Sequence, residues 1–101
     1  MISTLIAEEL QKFNMSPDAA KQFTYPLLAC AEIENMKNKL SKSGHYTEEV
    51  KESLTNIASG VPNLFRDAFL FAEMAGGKIP ENTKIEIIRL AGTVMITTML
   101  F

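Results

Sequence analysis

The residues able to do chemistry are few and far apart. There is one cysteine, Cys30, and one histidine, His45, fifteen positions further on in the turn-like stretch Ser43-Gly44-His45-Tyr46. A nucleophilic thiol needs a base held beside it, and this spacing supplies none. A single Cys can make neither an internal disulfide nor a cysteine-rich zinc site. It reads as a small apolar core residue in a reducing compartment. Glu32 and Glu34 stand two apart, on different sides of a helix, so they do not converge on one ion, and both read as helix-surface groups. Paired Glu-x-x-His motifs, which a di-iron bundle requires, are missing. Gly76-Gly77-Lys78 lacks the spacing and the following hydroxyl of a phosphate loop and reads as a helix stop. These patterns predict a protein with no catalytic residues, no metal and no cofactor. An enzyme using dispersed carboxylates such as Glu32 or Asp67 would need one of them raised in pKa within a cleft.

Nucleic-acid binding is disfavoured on two counts. The chain carries a net charge of -2, and its basic residues are scattered instead of forming the face that displaces counterions. The segment Thr55–Phe69 has a Gly-Val at a position suited to a helix-turn-helix. However, Pro62 follows the turn, and Arg66 would be the only base-reading cation on a helix crowded with Phe.

The elements that must position these residues are separated by punctuation at Asn14–Pro17, Ser43–Tyr46, Gly60–Pro62 and Gly76–Pro80. A chain of 101 residues, 47% hydrophobic and 22% charged, reads as a single helical domain over residues 1–101. The expected fold is an all-α compact bundle of about five helices. The first, near Ser3–Asn14, faces its core with Ile2, Ile6, Leu10 and Phe13. The second opens at Ser16-Pro17-Asp18, which supplies an N-cap, a first-turn proline and a dipole-matching acid. It is expected to kink or break at Pro26, and Ala29, Ile33, Met36 and Leu40 form its inner stripe up to Gly44. The third begins at the cap Thr47, buries Val50, Leu54 and Ile57, and stops at Gly60.

The fourth helix, Val61 onward, places Val61, Leu64, Phe65, Ala68, Phe69, Phe71, Ala72 and Ala75 on one broad inner face. Leu70 and Met74, one turn apart, fall on the side that should meet water, near Arg66 and Asp67. An apolar centre rimmed by Arg and polar groups is the composition of a protein interface, so Leu70, Met74, Arg66 and Asp67 are the candidate partner-binding residues.

The fifth helix runs from Pro80 to the end and is apolar on two sides. Ile85, Ile88, Gly92, Met95, Ile96 and Met99 share one face; Ile87, Leu90, Ala91, Val94, Thr98 and Phe101 share the other. Such a helix is enclosed by its own domain or shared with a neighbour. It is therefore expected at the centre of the bundle, one face against helices two to four and the other against helix one or a second copy. A homodimer would use Ile88, Met95, Ile96 and Met99 for self-association. The β-branched run Thr93–Thr97 leaves a hairpin turning at Ala91–Gly92 as the competing reading.

No basic, apolar leader opens the chain, and the closing apolar stretch falls short of the roughly 20 residues that span a bilayer, so the expected address is cytoplasmic. The function expected from these features is a non-enzymatic interaction protein of the inhibitor, immunity, adaptor or chaperone type, binding a protein partner and acting as a homo-oligomer. The alternative is a bundle that holds an apolar small molecule or lipid in its core.

Overall fold

The structure, a computed structural model, describes residues 1–101 and is all-helical: 77% of the residues are in helices and none in strands. In chain order the elements are α1 (Ile2–Leu10), α2 (Pro17–Lys21), α3 (Thr24–Lys42), α4 (Glu48–Ala58), α5 (Val61–Met74) and α6 (Glu81–Arg89). A π-helical turn (Leu90–Val94) and α7 (Met95–Leu100) then follow α6 without a break. The all-α expectation holds and the hairpin does not form. The expected bundle of about five helices gives way to four long units, α3, α4, α5 and the rod formed by α6, the π turn and α7, with the short α1 and α2 beside them.

Several local signals act as expected. The Ser16 side chain accepts from Ala19 N–H at 3.1 Å, and Thr47 accepts from Val50 N–H at 3.3 Å. Each satisfies one of the four amide donors that a helix start leaves unpaired. Gly44 ends the α3 turn at φ +76, a left-handed conformation that glycine adopts without a side-chain clash.

Pro26 does not break its helix. The interruption lies earlier, at Gln22–Phe23, and Pro26 occupies the third residue of α3. Amides of a first turn have no intrahelical acceptor, so a proline there removes no bond. The early break has its own cause. It turns Phe23 into the core, where it is 1% exposed and its ring sits 5.8 Å from that of Phe69 on α5.

The two-sided rod also resolves differently. Its buried residues are Ile87, Leu90, Ala91, Met95 and Met99, which form a single inner stripe. Ile87 and Met99 are twelve residues apart, and at the α-helical 100° per residue they would diverge by about 120°. The π turn takes up one extra residue, which reduces the divergence to about 20°. Two apolar faces in the sequence are thus largely one face, rephased in the middle. Met95 and Met99 are fully buried within the chain and belong to its own core, not to a surface for self-association.

The rod is central in its contacts. α1 and α5 pack along α6 and the π turn, and α4 packs on α7. Its far end is fastened to α3 and the α3–α4 loop: Lys37 Nζ donates to Thr98 O, and Tyr46 Oη donates to Met99 O. Both meet the carbonyls that every helix end leaves free, and the lysine also offsets the negative end of the dipole. Other expected inner residues lie outside: Met36, Ile57 and Phe71 are 50%, 60% and 52% exposed. The packing is elongated, 45 × 19 × 18 Å.

Candidate functional site

The α5 helix positions the expected partner-binding residues. Its inner face, Val61, Phe65, Ala68, Phe69 and Ala72, is buried against α2, α3 and the rod. That face fixes the rotation of the helix and sends Leu70 and Met74 outward, 59% and 74% exposed. Arg66 and Asp67 are exposed one turn before them. Phe71, assigned to the core from its period, joins the exposed group. It sits at the edge of the inner arc, and no neighbouring helix covers that edge. α5 therefore presents a contiguous band of Leu70, Phe71 and Met74, preceded by one cation and one anion.

Arg66 also borders a second feature. Between the start of α5 and the rod runs an open groove of about 590 Å³, with Pro62, Ile85, Ile88, Gly92 and Ile96 among its walls. Ile85 is 60% exposed, and Ile88 and Ile96 are half-buried. The sequence placed Ile85, Ile88 and Ile96 on one face with Met95 and Met99; the π turn separates them, so the isoleucines line the groove and the methionines the core. Arg66 and Arg89 are the only charged side chains in this groove. Arg66 Nη1 donates to Asn63 Oδ1 at 2.7 Å and meets no carboxylate, whereas Arg89 is held by Glu86 at 2.6 and 3.0 Å. The Arg89 guanidinium keeps the Glu86 carboxyl below its ordinary range. A Lys84–Glu73 ion pair ties α6 to α5 beyond the end of the groove.

The groups that could have carried chemistry are placed apart. Glu34 is not a surface residue as expected: it is 7% exposed, and its carboxylate accepts from the N–H of Ile2 at 2.9 Å and of Ser3 at 3.0 Å. A side chain of α3 thus caps α1, whose own N-cap residue, Met1, offers no oxygen. The sequence signal was the missing cap at Met1; nothing in the spacing pointed to Glu34 as its substitute. Beneath it the Cys30 thiol, fully buried, lies 3.5 Å from Met95 Sδ and 3.9 Å from Glu34 Oε1. Burial pushes this thiol up to about 12, with the Glu34 charge and hydrogen bond adding to the effect. It is consequently neutral and unreactive at ordinary pH. His45 is exposed, with Nδ1 2.9 Å from Ser43 Oγ, and it is remote in sequence and in burial from Cys30. No three His, Cys, Asp or Glu side chains gather where they could hold a metal ion.

The described pockets are all open surface grooves, and the interior is filled by Phe23, Phe65, Ile6, Met95 and Met99, all essentially without exposure. No helix is long and apolar enough to cross a membrane. Among known proteins, no family model, curated protein or solved structure matches this chain.

Proposed function

We propose that this protein is a non-enzymatic, cytoplasmic interaction module that binds a protein partner through the outer face of α5 and associates with itself through the rod. The observation that carries this reading is the band of Leu70, Phe71 and Met74. Three large apolar side chains lie within one turn of each other, each more than half exposed. Fully burying such a side chain is worth about 1.5–3 kcal/mol, and roughly half of that is still available at each. Arg66 and Asp67 give the band the polar border that orients a partner and excludes mismatched ones. The rod contributes Ile88 and Ile96, which remain accessible where Met95 and Met99 are not. A buried, neutral cysteine agrees with a reducing compartment, and a net charge of -2 with a partner other than nucleic acid.

The test is Leu70→Asp. Leu70 is exposed over most of its surface, so the helical circular-dichroism spectrum should match that of the parent while partner binding is abolished and self-association through the rod is kept. A Leu70→Asp chain that binds the partner as the parent does removes α5 as the site.

A further inference from the structure

We propose that the isoleucine groove is filled by the rod of a second copy of this chain, the two rods running antiparallel about a two-fold axis that passes beside Gly92, so that Thr93 of each copy enters the gap at Gly92 of the other. This rests on the self-association proposed above and supplies its geometry.

The observation that carries it is a glycine that its own chain does not need. Gly92 stands in the middle of the rod, where alanine would make the better helix. Its φ is not positive, and a Cβ built on it would be packed only against Pro62 Cγ, at 3.4 Å, a van der Waals contact. Gly77 shows the opposite case, since a Cβ there would come within 2.9 Å of Ala72 O. The space above Gly92 opens into the groove, so what gains from the missing side chain approaches from outside. Ile88 and Ile96 stand four residues to either side of it. A plain α-helix would set them about 80° apart; the π turn, centred on Gly92, brings that to about 20°. The groove thus has a gap at its midpoint and an isoleucine at equal distance on each side. The residue that fits the gap follows it in sequence: Thr93 is exposed beside it. Gap and projection lie on one face, so that face is its own complement about a two-fold axis. Charge agrees with a neutral occupant. Arg89 is held by Glu86, Arg66 by Asn63, and Glu81 lines the continuation of the groove. In the antiparallel arrangement Arg89 of one copy lies against Ile96 of the other, and the two Arg89 residues are about 10 Å apart along the rods. A parallel pair would set them side by side. The rod, Glu81–Leu100, is about 30 Å long on a body 18 Å across, so the pair buries less than the roughly 800 Å² per partner of a standard interface and dissociates on dilution.

The experiment is mass by light scattering over a range of concentrations, on the parent and Gly92→Ala, together with disulfide trapping of Thr93→Cys and Thr97→Cys, all with helicity checked by circular dichroism. The parent should rise from 11.2 kDa towards twice that value. Gly92→Ala should keep the parent's helicity and melt no lower, yet associate at least about tenfold more weakly, because the methyl group fills the gap. Thr93→Cys lies beside the axis and should link to its own copy under mild oxidation; Thr97→Cys, about 13 Å from its copy, should not. Cys30 is fully buried and stays out of the reaction. A dimer that tolerates Gly92→Ala, or in which Thr93→Cys links no faster than Thr97→Cys, overturns the pairing across Gly92 and leaves self-association standing. A mass of 11.2 kDa at every concentration overturns both, and growth beyond two copies overturns the closed pair.

Discussion

At the scale of single residues, the most constrained group is the carboxylate of Glu34. It is nearly the only polar side chain inside the molecule, and it is tolerated because two amides of α1 point at it. Removing it leaves those donors buried without an acceptor, which costs about 1–3 kcal/mol. In a chain of this size each kcal/mol lowers the melting temperature by roughly 4–8 °C. Glu34→Ala should therefore melt several degrees below the parent, and an unchanged midpoint would show that α1 does not depend on this cap. The adjacent Cys30 provides an independent check. A thiol pushed up to about 12 by burial should resist alkylating reagents in the folded protein at neutral pH and react fully once denatured. Rapid labelling of the native chain would contradict its burial. The type of Cys30 was legible in the sequence, since a lone cysteine amid helix-forming residues is most simply a core residue. Glu34 was not legible, because its partners are amides more than thirty residues away and a backbone N–H leaves no trace in residue spacing.

At the scale of elements, helix capping and turn chemistry were read correctly at Ser16, Thr47 and Gly44 because those signals are local. The rod was misread because periodicity analysis assumes a constant 100° per residue, and the π turn breaks that assumption at Leu90–Val94. The same break decides which residues are available at the candidate site. It turns Met95 and Met99 inward and leaves Ile88 and Ile96 at the groove. The α5 band was legible because that helix is regular; Phe71, at the edge of the inner arc, and Ala75, exposed at the end of the helix, were misplaced. Deletion of Thr93, an exposed residue within the turn, tests the rephasing directly. The deletion removes the one residue that the π turn takes up, so ordinary α-helix, which is better hydrogen-bonded, runs through the junction with Met95 and Met99 still facing the core. Thermal unfolding should therefore stay close to that of the parent. Turning two buried methionines out would cost about 3–6 kcal/mol of the roughly 5–15 kcal/mol that holds a domain together, so a steep fall in midpoint would show that the π turn is not a one-residue rephasing of the rod.

At the scale of the whole molecule, the fold is long for its size. Its radius of gyration is 14.3 Å, against roughly 13 Å for a typical chain of about 100 residues, and its surface of 6165 Å² exceeds the roughly 5,700 Å² expected for its mass. Elongation puts unusual weight on the fastenings at the far end, where α7 packs on α4 and is tied to the rest through Lys37 and Tyr46. The ammonium groups of Lys37 and Lys51 lie 5.7 and 5.8 Å from the centre of the Tyr46 ring. Burial lifts the Tyr46 phenol above its ordinary value of 10; the Lys51 charge pulls the other way and Glu48 adds to the rise. A group whose pKa is higher folded than unfolded adds stability while protonated in both states, and that stability is lost as pH climbs past the unfolded value towards the folded one. The phenol must also keep its proton to donate to Met99 O. Tyr46→Phe removes the donor at every pH and should cost about 0.5–1.5 kcal/mol near neutrality. The parent should therefore lead Tyr46→Phe in melting temperature at pH 8, and the lead should shrink and disappear as the pH is raised above 10. A difference that stays constant across that range would show that the hydroxyl does not hold the end of the rod, and that packing of Met99 and Leu100 alone keeps α7 in place.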